Sequence, residues 1–152
     1  MSPTKLRASI IAERIAWVNQ MVASVRTLPL DSFEVFTADL RNPASAESFI
    51  RRALEALLDL GRHFLAKGYG RAAAEYKEIA KLLHEVGVLP KDEADLLYQM
   101  AGFRNRITHF YNEITLEELY RVCTKNLSDI ERILSVLQKW IADHPDQIDY
   151  EV

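Results

Sequence analysis

Cys123 is the single cysteine in 152 residues, so no internal disulfide is possible and a reducing, cytoplasmic setting fits. With no second thiol and no close histidine pair, no metal site is expected, and no cofactor is called for. Glycine and proline number only five each, and Val/Ile/Thr alternation is missing, which favours helices over strands. No apolar run approaches the length of a membrane span. The first residues, Met1 to Arg7, lack the apolar segment of a secretory signal. A basic excess is missing too: 19 Lys and Arg against 22 Asp and Glu leave a net charge of −3. That balance argues against broad, non-specific nucleic-acid binding through a positive surface. A local basic cleft, or two copies of one patch brought together, stays open.

What is present is a helical text. Apolar residues supply 49% of the chain, enough for one domain, residues 1–152, with a full core. Pro3, capped by Ser2, opens a first helix whose apolar residues, from Leu6 to Val25, recur at helical spacing until Leu28-Pro29-Leu30 breaks it. Asp31 and Glu34 read as a capping box for a short piece containing Phe33 and Phe36, which the pattern equally allows to be extended. Asn42-Pro43 ends it. A long helix then runs from about Ser45 to Ala66, burying Ile50, Leu54, Leu57 and Leu58, with Arg51, Arg52, Glu55 and Asp59 on its solvated side. Gly68-Tyr69-Gly70 is a turn, because no Gly-Lys-Ser/Thr follows it and no strand precedes it. Another helix spans about Arg71 to Val86 with Gly87 as its C-terminal cap. Pro90 opens the next, with Asp92, Glu93 and Asp95 complementing its dipole. Thr115 and Glu118 form a capping box for the last helix, and from His144-Pro145 to residue 152 the polar tail is expected to fray. The fold class is all-α, an up-and-down bundle of four to six helices.

The informative stretch is Arg104-Asn105-Arg106-Ile107-Thr108-His109-Phe110-Tyr111. At about 100° per residue, Leu96, Phe103, Ile107, Phe110 and Ile114 share one apolar stripe. Arg104, Asn105, Thr108, His109, Tyr111 and Asn112 fall on the opposite side. An imidazole takes and gives protons near neutrality, so His109 is the natural proton carrier. The Arg104 fork suits charge building on phosphate oxygens. Asn105, one turn before His109, can orient its ring, and Tyr111 lies two turns after Arg104. These parts suffice for RNA cleavage without a metal, through attack of the 2′-oxygen on the adjacent phosphorus. One histidine does not easily serve as both base and acid, whereas a two-fold dimer supplies two. His63, His84 and His144 are read as structural.

These residues resemble the signature of the HEPN superfamily, Arg followed at short spacing by His, in the Arg-x4-His-x-Tyr form of HepT-like toxins. The flanks Gly61 to Gly70 and Asn112 to Tyr120 are similar as well. The resemblance implies a HEPN-like helical bundle, akin to nucleotidyltransferase substrate-binding subunits, that pairs as a homodimer. It implies an endoribonuclease toxin with Arg104 and His109 catalytic and Asn105 supporting. It also implies a cognate minimal nucleotidyltransferase antitoxin that transfers AMP to Tyr111. Two other readings compete. One is a non-catalytic helical module that binds a nucleotide or a nucleotidyltransferase, and the other is a purely structural dimeric bundle.

Overall fold

The computed structural model describes residues 3–150. Seven α-helices follow in order: α1 (Ala8–Arg26), α2 (Phe33–Thr37), α3 (Arg41–His63), α4 (Tyr76–Glu85), α5 (Lys91–His109), α6 (Leu116–Arg121) and α7 (Leu127–Asp143). The π turn Val122–Asn126 joins α6 to α7, so these two read as one rod and the bundle as six. All-α is therefore the right class. The helices surround one apolar core that includes Ile50, Leu54, Leu57, Phe64, Leu83, Ile133 and Leu137. α1 packs mainly along α3, and α4 along α5. Among the described residues no helix is long and apolar enough to cross a membrane.

Several boundaries differ from the sequence expectation, each for a local reason. Ser2 lies outside the described residues, and Pro3 precedes the helix rather than opening it. Leu6 and Arg7 are extended instead, forming a strand β1 (Leu6–Arg7) that pairs in parallel with β2 (Ile148–Asp149). The tail therefore does not fray up to that point. His144 stacks on Trp140 with centroids 4.1 Å apart, Pro145–Gln147 makes a 3-10 turn, and Leu6 and Ile148 are both buried. Burying these two side chains outweighs the chain entropy that a polar tail would otherwise keep.

The Ser32 hydroxyl, not Asp31, caps α2, accepting the Val35 N–H at 3.1 Å. Pro43 sits inside the first turn of α3, where its missing N–H leaves nothing unpaired. α3 runs into a π turn, Phe64–Gly68. Gly70, at φ 61°, then reverses the chain, so residues 71–75 are not helical and α4 starts at Tyr76 rather than Arg71. Gly87, at φ 87°, ends that stretch as expected.

Candidate functional site at the end of α5

Pro90 and the acidic residues behind it start α5, as the sequence suggests, but Glu93 does more than complement the dipole. It is buried and accepts from Arg132 of α7 at 2.7 Å. The face α5 gives to the core is Ala94, Leu97, Ala101 and Ile107. Leu96 and Phe103 are only half-buried, and Phe110 is exposed. The expected stripe through Ile114 fails because the helix stops at His109. Phe110 leaves helical geometry at φ −134°, ψ 42°, and Tyr111–Glu113 forms a separate 3-10 turn. Arg106 holds this reversal. Its guanidinium donates to both Glu118 oxygens, at 2.6 and 2.9 Å, and to the Glu113 carbonyl at 3.4 Å. The Glu118 hydrogen bond raises the Arg106 pKa further. Thr115 caps α6 by accepting the Glu118 N–H at 3.1 Å. The capping box is thus half formed, since the Glu118 carboxylate is spent on Arg106.

Arg104 is half-buried and fixed on three sides. Glu55 Oε2 of α3 accepts from its Nε at 3.0 Å and its Nη2 at 2.8 Å. Asn105 Oδ1 accepts from Nη1 at 3.3 Å. The Tyr76 ring lies against the guanidinium face, 4.7 Å from its carbon, a cation–π arrangement. Glu55 also receives Arg51 Nη1 at 2.8 Å. Tyr76 donates its hydroxyl to Asp59 at 3.3 Å, and Arg62 bonds the same carboxylate at 3.2 Å. Burial, and then the Asp59 charge, push the Tyr76 phenol above its usual range.

A guanidinium has five N–H donors, of which Glu55 and Asn105 engage three. Two donors are left, one each on Nη1 and Nη2, and phosphate oxygens can accept from them.

The structure therefore brings Arg104 and Asn105 into contact. His109 is exposed on the last residue of the helix, its ring edge-on to Phe110 at 6.5 Å. Tyr111 is 69% exposed on the following turn, not on a helical line with Arg104. Among the described residues no hydrogen bond joins His109 or Tyr111 to Arg104.

A cavity of about 710 Å³ adjoins this end of α5 and is lined by Asn105, Arg106 and Phe110, but not by Arg104, His109 or Tyr111. His109 thus lies on open surface and Arg104 in a half-buried clamp, next to residues that line the groove.

Glu55 and Tyr76 contact Arg104 and so join the candidate site; the sequence placed Glu55 on a solvated face and gave Tyr76 no functional role. No local sequence signal marks either, because each meets Arg104 from another element. The histidines read as structural are so engaged. His63 Nε2 accepts the Arg7 N–H at 3.0 Å, and His84 and His144 each bond a backbone carbonyl through Nδ1. Cys123 is buried, with its thiol pushed up to about 12 by burial, which leaves it inert.

Comparison with known proteins agrees with the motif. The family described as Ribonuclease HepT-like matches residues 11–137. A candidate RNase of Archaeoglobus fulgidus is 31% identical over 114 residues, 74% of this chain and 80% of that one. The mRNA nuclease HepT of Shewanella oneidensis is 23% identical over 129 residues, 85% of this chain and 96% of that one. In fold, the chain is similar to the tri-AMPylated Shewanella oneidensis HEPN toxin solved in complex with its MNT antitoxin. The TM-score is 0.78 at 23% identity, covering 86% of this chain and 97% of that one. YutE, a cytosolic Bacillus subtilis protein of unknown function, gives a TM-score of 0.74 at 17% identity, covering 93% and 95%.

Proposed function

We propose that this chain, which belongs to the HepT-like ribonuclease family, is a metal-independent endoribonuclease toxin whose reaction is carried by Arg104 and His109. In this reading Arg104 binds the scissile phosphate through its free edge and stabilises the charge developing there. His109 takes the 2′-hydroxyl proton. A second His109, from a homodimeric partner, returns a proton to the leaving 5′-oxygen. Asn105 supports both, bonded to Arg104 and one helical turn from His109. The observation that carries the reading is the state of Arg104, clamped by Glu55, Asn105 and Tyr76 with two donors still unengaged.

Regulation by a cognate minimal nucleotidyltransferase antitoxin, transferring AMP to Tyr111 in the cytoplasm, follows from the same kinship. The exposure of that phenol supports it. A bulky anion there would crowd the cleft and compete with RNA phosphate for Arg104.

The test is cleavage of RNA by purified protein in EDTA. Activity is expected to persist, and to fall by about 10²–10⁴-fold in His109→Ala. Mass spectrometry after co-expression with a nucleotidyltransferase encoded beside the gene is expected to find AMP on Tyr111. A competing reading, a non-catalytic partner-binding module, draws on the neutralisation of Arg104 by Glu55. Undiminished cleavage by the variant, or none by the wild type, would favour it.

A further inference from the structure

We infer that the groove beside α5 seats the RNA strand flanking the scissile phosphate, gripping its backbone with Lys77, Lys81 and Arg121 and a base with Tyr98. This rests on the ribonuclease reading and adds to it where the substrate lies.

The groove begins at the motif. Asn105 touches Arg104 on one side and lines the groove on the other, and Phe110, next to His109, lines it as well. A strand whose reacting phosphate met Arg104 would have its neighbouring nucleotides at this mouth. At about 710 Å³ the space falls within the size range of small-molecule sites, so it has room for a base and ribose as well as a phosphate.

Its charges are arranged for an anion. Arg51, Arg62, Arg104, Arg106 and Arg132 each have a carboxylate partner. Lys77, Lys81 and Arg121 have none among the described residues. Lys77 and Lys81, one turn apart on α4, both lie over the Tyr98 ring, at 5.4 and 5.3 Å from its centroid. Neither ammonium has a carboxylate within ion-pair distance among the described residues, so both are open to an anion. Of the carboxylates that line the groove, Glu118 is paired with Arg106, while Asp129 bonds the uncharged Asn126 amide and keeps its charge. Arg121 lines the groove from α6. Lys77, Arg121 and the Tyr98 ring line the trough, and Lys81 flanks it over that ring; single-stranded RNA would draw the ammoniums onto its phosphates and leave the ring to a base.

The experiment measures binding apart from cleavage, by anisotropy of a fluorescein-labelled single-stranded RNA added to His109→Ala protein. Adding Lys77→Ala, Lys81→Ala and Arg121→Ala together is expected to weaken binding at least tenfold. The slope of log K against log salt is expected to drop by about 2, since each single-strand phosphate contact contributes roughly 0.7. Tyr98→Leu is expected to weaken binding about fivefold or more, with the slope unchanged. Circular dichroism melts check that each variant folds.

Unchanged affinity and slope would overturn the groove. So would a triple variant that binds RNA normally but sediments at a different oligomeric state, which would give the groove to a second copy of the chain. Wild-type protein that binds through these residues but cleaves nothing would sink the nuclease and leave the groove standing. Normal cleavage by the triple variant in a wild-type His109 background, with normal binding, would do the reverse.

Discussion

A guanidinium on a surface helix ordinarily samples many rotamers, and ordering it takes away side-chain entropy. At Arg104 that entropy is already given up before substrate arrives, because Glu55 holds Nε and Nη2 while Tyr76 backs the plane. Glu55 thereby acts as a positioning residue. Glu55→Ala is expected to lower kcat by roughly tenfold to a hundredfold through misalignment, with KM changing less. Single-turnover and steady-state kinetics check it; a fall in KM alone, with kcat intact, would show that the carboxylate merely competes with phosphate. The proposed site residues Arg104, Asn105, His109 and Tyr111 stand out in the sequence because they form one local run with distinctive chemistry. Glu55 was not, since its pairing with a residue 49 positions away is decided by how α3 meets α5. Nothing in its own surroundings distinguishes a surface carboxylate from a structural one.

Elements were legible where caps and periodicity are local, as in α1 up to Arg26, α5 from Lys91 and the Thr115 cap of α6. They were misread where tertiary contacts override the pattern. The helical wheel carried α5 through Ile114, but the Arg106–Glu118 pair binds the chain back on itself and favours a break at Phe110. Glycine shows how tightly neighbouring elements constrain each other. A Cβ on Gly61 would lie 2.9 Å from Ile79 Cγ2 and Leu83 Cδ1, so a side chain there forces these packed α4 methyls to shift. Gly61→Ala is expected to destabilise the fold by about 1–3 kcal/mol, despite alanine's better helix propensity. A Cβ on Gly102 would meet Lys77 Cε at an ordinary 3.5 Å. Gly102→Ala is therefore expected to stabilise by about 0.5–1 kcal/mol. Urea denaturation of the two variants checks both signs, and equal stabilities would refute the packing argument.

At the scale of the whole molecule, distant segments are clasped by a few polar contacts laid over the core. Arg26 and Glu131 tie α1 to α7 through two hydrogen bonds, and His63 ties β1 to α3 by accepting the Arg7 N–H. That nitrogen must be unprotonated. Burial first, and then the positive charges of Lys67, Arg7 and Arg14, lower the His63 pKa from its ordinary 6.5. The folded state thus prefers the neutral ring. Its contribution is fully present above about pH 6.5 and is lost as pH falls through the lower folded value. The thermal midpoint is expected to drop between pH 7 and 5 more steeply in wild type than in His63→Gln, which keeps an acceptor but cannot titrate. Parallel curves would remove His63 from the account. The break between His109 and Tyr111 also has a bearing on control. The helix that carries the proposed reacting groups and the short turn that carries the phenol are distinct elements, tied by Arg106. Under the proposed regulation, an adduct installed on the loop would silence the protein without unwinding anything. The silenced pool would remain folded, intact and ready for reuse once the adduct is removed.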